Sequence, residues 1–219
     1  MGASMPAAAI EVMRSAGSCD DCFQMRPDLA RPLCDVPQPR WVGERYHLVR
    51  PRIALVLINP GGGRDEDPSL LREAETFRKF HNTGDYGPIR AYFAVRLARN
   101  VPWLAWYRDV FGLRHEEIAQ LNVAWCATQQ DKYPAQMLNH CFGKHTTQLL
   151  RALNPDIVLL SGDETHGFVT RVCAVVPEAD VVPTIHFRNR KRTSVRFAEA
   201  ARVRARIEAW RANAGSPTS

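Results

Sequence analysis

Apolar residues fall along this chain in two alternating rhythms. Short, largely apolar runs occur at Ile53 to Ile58, Ile118 to Trp125, Pro155 to Gly162 and Asp180 to His186. Runs of that length, bounded by Pro, Asn or Gly, predict strands buried on both faces. Between them, residues 5–16, 68–80, 88–99, 101–111, 134–153, 163–176 and 194–213 carry apolar positions at three- and four-residue spacing and read as helices. Residues 17–51, with five prolines, read as irregular. Strands that alternate with helices predict an α/β fold. The expected architecture is a three-layer sandwich: a central, mainly parallel four-stranded sheet with helices on both sides. A chain of 219 residues suits a single domain spanning 1–219, with 214–219 as a flexible tail.

That architecture says where chemistry belongs. Ligands of such sheets bind outside the carboxyl ends of the strands. Asn59, Asn122, Gly162 and His186 stand at those ends. Taken singly, Asn122 reads as an amide satisfying a strand end and His186 as a core histidine; their shared edge with Asn59 makes them candidates. Gly61, Gly62 and Gly63 follow Asn59 but lack the Lys-Ser/Thr of a phosphate-binding loop, so they read as a close approach of backbone to ligand. Trp103, Trp106, Tyr107 and Phe111, at helical spacing, read as core rather than as a base-stacking surface.

Composition narrows the class. Hydrophobic residues make up 45% and charged residues 24%, which suits a globular chain. No apolar run approaches the roughly 20 residues of a membrane helix. Met1 to Ile10 has no basic residue to open a signal peptide. The expectation is a cytoplasmic monomer with no membrane partner. In that compartment six cysteines read as metal ligands or core rather than disulfides. Cys19 and Cys22 form a C-x2-C pair, and Cys126 and Cys141 a C-x14-C pair. Together they suit tetrahedral zinc or a 4Fe–4S cluster. Cys19, Cys22, Cys34 and His47 are an alternative, local zinc set, and Cys173 reads as core. The net charge of +6 suggests a polyanionic partner. Arg188, Arg190, Lys191 and Arg192, directly after a buried strand, are well placed to grip phosphates.

Cys19, Cys22, the segment from Asn122 to Cys126, Cys141, the strand from Pro155 to Gly162 and the approach from Pro183 to His186 resemble the uracil-DNA glycosylase superfamily. They are most similar to its family 4 iron–sulfur branch. The resemblance spans roughly 19–190. It departs at the first motif, where Ile58-Asn59-Pro60-Gly61 stands in place of an acidic Gly-Glu-Ala-Pro-Gly, closer to the branches that use Asn. It departs again at Phe187, where the family has Pro. The resemblance implies a monofunctional enzyme of DNA repair that flips uracil out of DNA, cuts its N-glycosidic bond and leaves an abasic site. Asn59 and His186 would be catalytic. Asn122, Tyr86, Gly61 and Gly62 would bind the base, with Tyr86 stacking on it and Phe77 or Phe80 next in line. Phe187, Arg188, Arg190, Lys191 and Arg192 would contact DNA, and Cys19, Cys22, Cys126 and Cys141 would hold a structural cluster. A binder of deaminated DNA that does not cut, and a zinc-stabilised nucleotide enzyme, are the alternatives.

Overall fold

The computed structural model describes residues 5–29, 36–60, 68–99, 101–128, 132–188 and 193–214. Its helices are α1 (Ala7–Ser15), α2 (Asp21–Met25), α3 (Pro68–Thr83), α4 (Gly87–Ala98), α5 (Pro102–Phe111), α6 (Ala135–Cys141), α7 (Thr147–Leu153), α8 (Asp163–His166), α9 (Val169–Val175) and α10 (Thr193–Ala214). The strands are β1 (Trp41–Val42), β2 (Ile53–Leu57), β3 (Ile118–Asn122), β4 (Ile157–Ser161) and β5 (Asp180–Thr184). They form one mixed sheet of order β1-β3-β2-β4-β5. β2, β3, β4 and β5 run parallel, and β1 pairs antiparallel with β3.

Both faces of the sheet are covered by helices, and the pleat explains how. Along β2, Ala54 and Val56 point to one face and Ile53, Leu55 and Leu57 to the other. The first face packs against Met13 of α1, Phe77 and Phe80 of α3, Leu149 and Leu153 of α7 and Val172 of α9. The second packs against Tyr107 and Phe111 of α5 and Val203 and Ile207 of α10. α5 stops at Gly112, whose φ of 68° favours glycine and whose N–H closes onto the Arg108 carbonyl at 3.1 Å.

The sheet has five strands where the sequence pattern predicts four. β1 escapes that pattern because it is two residues long and follows Pro37 and Pro39, with no alternation to mark it. Residues 17–51 also contain α2 and two short 3-10 turns. The helix expected over 134–153 is interrupted by a π-helical turn, Phe142–Thr146. Cys173 is exposed on α9 rather than core, because Val172 and Val176 carry that helix's buried side. The expected tail lies, from residue 215, outside the described residues. Among the described residues no helix is long and apolar enough to cross a membrane.

Candidate active site

The carboxyl ends of β2, β3, β4 and β5 share one edge, which brings Asn59, Asn122, Gly162 and His186 into one row. Neighbouring strands lie about 4.8 Å apart, so Asn59 and His186, with β4 between them, stand on the order of 10 Å from each other.

Asn122 closes β3 and is fully buried. Oriented so that both ends of its carboxamide find partners, it donates to the Asn59 carbonyl at 3.0 Å and the Leu121 carbonyl at 3.2 Å, and accepts from Arg40 Nε at 3.0 Å. The β2–β3 ladder continues alongside, with Val123 N–H on Leu57 O at 2.8 Å and Ala124 N–H on Ile58 O at 2.9 Å. Asn59 is half-buried, and its carbonyl is thereby tied to β3.

Behind Asn122 stands a charged network that sequence reasoning missed. Arg40 Nη1 bonds to Glu73 Oε1, and both residues are buried. The other Glu73 oxygen accepts from Tyr92 Oη at 2.8 Å and Arg96 Nη1 at 2.7 Å. Arg40 holds a φ of 72°, a left-handed conformation that costs a non-glycine residue about 1–2 kcal/mol. A signal for Glu73 was present: with Phe77 and Phe80 it falls at i, i+4 and i+7, on the buried stripe of α3.

Tyr86 belongs to the same assembly. It is 5% exposed, and its ring meets that of Phe80 in a T-shaped contact at 5.6 Å. Its hydroxyl donates to the Arg40 carbonyl at 3.2 Å and accepts from the Val42 N–H at 2.7 Å. The structure therefore has Tyr86 as a strut that pins β1, its ring enclosed in the core. Phe77 and Phe80 are fully buried too. Gly61 and Gly62 lie outside the described residues.

At the other end of the row, His186 is half-buried, two residues beyond β5. Its Nδ1 accepts from the Arg188 N–H at 3.3 Å, which leaves the ring proton on Nε2. Burial, and then the charge of Arg188, hold its pKa below the ordinary histidine value, so the ring is neutral at pH 7. Glu164 opposes that shift. Gly162, at φ 112°, lets the chain pass close by: a Cβ there would stand 3.4 Å from His186 Cβ. Phe187 packs 4.4 Å from the His186 ring, and the exposed Arg188 lies over Phe187 at 5.4 Å. Arg196 Nη2 fixes the Phe187 carbonyl at 2.7 Å. Arg190, Lys191 and Arg192 lie outside the described residues.

The two cysteine pairs meet beside the end of β3. Cys22, Cys126 and Cys141 are buried, and Cys19 is half-buried. Cys22 and Cys141 share a hydrogen bond, which pushes the Cys22 thiol pKa down and the Cys141 pKa up, the latter with help from burial. Cys126 adds to the rise at Cys141, and Cys22 lies within electrostatic reach of Cys19. Asp21 binds α2 to the opposite helix through His140 at 2.8 Å and Lys144 at 2.6 Å. These thiols adjoin one another in a chain, but among the described residues no group of three or more His, Cys, Asp or Glu stands close enough to hold a single metal ion. The local zinc set fares differently. Cys34 lies outside the described residues. His47 sits in the 3-10 turn that packs against the turn leading into β3, at the opposite edge of the sheet.

The π-helical turn joins the cysteines to Asn122, a link no motif announced. The Trp125 N–H bonds to Cys141 Sγ at 3.1 Å. Trp125 Nε1 donates to the Asn122 carbonyl at 3.1 Å and to Thr146 Oγ1 at 3.0 Å. Thr146 Oγ1 donates in turn to that carbonyl at 2.7 Å, and His145 stacks on Trp125 at 5.1 Å.

No protein-family model matches the chain, and no curated protein matches it significantly.

Proposed function

We propose that the chain is a DNA glycosylase that removes uracil and leaves an abasic site. The observation that carries this reading is the single row of Asn59, Asn122 and His186, with two cysteine pairs meeting behind Asn122. The motifs that resemble the uracil-DNA glycosylase superfamily are the ones that stand in that row. On this reading a flipped nucleotide would lie between the asparagines and His186.

Cutting the glycosidic bond develops negative charge on the departing base. A neutral His186 with its proton on Nε2 can donate to the base oxygen where that charge grows, an effect on the order of 3 kcal/mol per donor. Asn59 cannot act as a general base, because an amide does not titrate near neutral pH. Its part is to position water, and the tie between its carbonyl and Asn122 holds it in place. Arg188, with the basic residues to 192, supplies phosphate contacts, and Phe187, half-buried against the core of the sheet's second face, or the exposed Arg188 is the wedge into the duplex.

Cys19, Cys22, Cys126 and Cys141 would hold the cluster, a 4Fe–4S centre in preference to zinc. Its contribution would be structural, tying α2 to the segment after β3. What supports it is the donor chemistry, four thiols from two distant segments, neighbouring one another and largely buried, although among the described residues no three ligands converge on one metal position. A second reading, a binder of deaminated DNA that does not cut, has its own support, since both N–H groups of the Asn122 amide are engaged by backbone carbonyls.

One assay separates them. Single- and double-stranded oligonucleotides containing uracil are incubated with the protein and treated with hot alkali. Strand breaks at uracil that fall 100- to 1000-fold, an order of magnitude typical of losing such a donor, in His186→Ala support the glycosylase. Intact DNA overturns it, and tight binding without base release favours the binder. Iron and acid-labile sulfide in the purified protein, against stoichiometric zinc, decide the metal.

A further inference from the structure

Charge is buried at the carboxyl edge where apolar packing would have served stability as well. Arg40 is 6% exposed and Glu73 2%, and Arg40 keeps a left-handed backbone at φ 72°. Such strain persists only where the surroundings over-determine it. Glu73 is itself bolted down by Tyr92 and Arg96. The outcome of the whole arrangement is one N–H, Arg40 Nε, aimed at the Asn122 carboxamide from 3.0 Å.

We propose that Arg40 is a specificity-determining residue that locks the Asn122 carboxamide in one orientation, so that the site accepts deaminated bases and rejects their parents. The choice of base rests on the glycosylase reading; the lock does not.

A carboxamide has two orientations of nearly equal shape. Here one of them makes three hydrogen bonds: from Arg40 Nε, to Asn59 O and to Leu121 O. The other sets the amide NH2 against Arg40 Nε and the amide oxygen against two carbonyls. Arg40 thus keeps the oxygen on its own side. That oxygen has two lone pairs, and Arg40 uses one. The amide is fully enclosed in the free protein, so a base reaches the second only when its surroundings open, and there that lone pair can accept only from a donor. Uracil offers N3–H there, and hypoxanthine N1–H. Cytosine N3 and adenine N1 are bare lone pairs. Deamination is the change from one to the other, so a fixed acceptor distinguishes product from parent. Asn122 is fully buried, and a mismatched pair of acceptors is most costly away from water.

Arg40→Lys tests the lock, because it keeps a cation beside Glu73 but removes the Nε–H. Glu73→Gln is the control, because it keeps that N–H and an acceptor for Arg40 Nη1. The Asn122 side-chain NH2 signals are read by 15N NMR, assigned by their loss in Asn122→Asp. The expected result is solvent exchange of that NH2 faster by about tenfold or more in Arg40→Lys, with the ratio of uracil to cytosine excision falling by a similar factor. Glu73→Gln should keep the ratio. Unchanged NH2 exchange in Arg40→Lys overturns the lock, and changed exchange with an unchanged ratio overturns its role in specificity. A wild-type protein that holds the NH2 but releases no base keeps the lock and sinks the glycosylase.

Discussion

The two ends of the strand-edge row are built to different standards. At β2 and β3, Asn122, Arg40 and Glu73 form a continuous buried network that reaches the half-buried Asn59, and each member is held by at least one neighbour. At β4 and β5, His186 is half-buried, and among the described residues its ring accepts one hydrogen bond, from the Arg188 N–H at 3.3 Å, and packs against Phe187. The first end gives up stability for orientation, since a buried ion pair and a left-handed arginine are costly. On the glycosylase reading, the second leaves a histidine free to adjust as charge develops on a base. If that reading holds, holding and reacting are divided between neighbouring strand pairs, and the two kinds of failure should be separable.

The largest expected effect on the held end comes from Glu73→Ala. It leaves the Arg40 guanidinium buried without its carboxylate, a loss of about 3–5 kcal/mol for a broken buried pair. For a chain of this size that is roughly a 10 °C fall in Tm, read by thermal unfolding. His186→Ala should shift Tm by no more than about 2 °C while removing activity. If both variants lose stability alike, the division between the ends fails.

Next comes acid. His145 is buried against Trp125, and burial first, then the charge of Lys144, lowers its pKa to about 4. The unfolded chain takes up a proton near 6.5, the ordinary value, and the folded chain only near 4. Folding is therefore favoured above 6.5, and the advantage drains away as pH falls toward 4, by up to about 3 kcal/mol. Tm measured from pH 7 to pH 4 should fall, and His145→Phe, which keeps a ring against Trp125, should flatten that fall. An equal slope in the variant would remove His145 from the account. The excision optimum is not expected to follow this slope, because His186 titrates at the other end of the row.

Much of this was legible in the chain, for identifiable reasons. The four parallel strands show themselves because burial on both faces demands unbroken apolar runs, and their ends then name Asn59, Asn122 and His186. β1 does not show itself, because two residues after a proline-rich stretch carry no periodicity. Arg40 and Glu73 were hidden for another reason. They meet across 33 residues of sequence, and Arg40 stands in a proline-rich stretch without periodicity, so although α3's buried stripe marks Glu73, only the fold reveals its partner. The superfamily resemblance alone makes Tyr86 a base-stacking ring. Packing turned it inward, where its hydroxyl is the only polar part left to satisfy, and β1 supplies the partners.

The smallest expected effect bears on how the cysteines reach the held end. Thr146 Oγ1 donates to the Asn122 carbonyl and accepts from Trp125 Nε1. Thr146→Val keeps the shape and removes the hydroxyl. Trp125 Nε1 retains its other acceptor, the Asn122 carbonyl at 3.1 Å, so no buried donor is stranded. The loss should be that of one ordinary bond, about 1 kcal/mol, or a Tm fall of about 2–4 °C. Because Arg40, Asn59 and the β2–β3 ladder still hold Asn122, the ratio of uracil to cytosine excision should not change. A changed ratio would mean that the π-helical turn, and with it Cys141 through Trp125, takes part in orienting the amide. The held end would then extend from Glu73 on α3 to the cysteine pairs, and its independence from them would have to be given up.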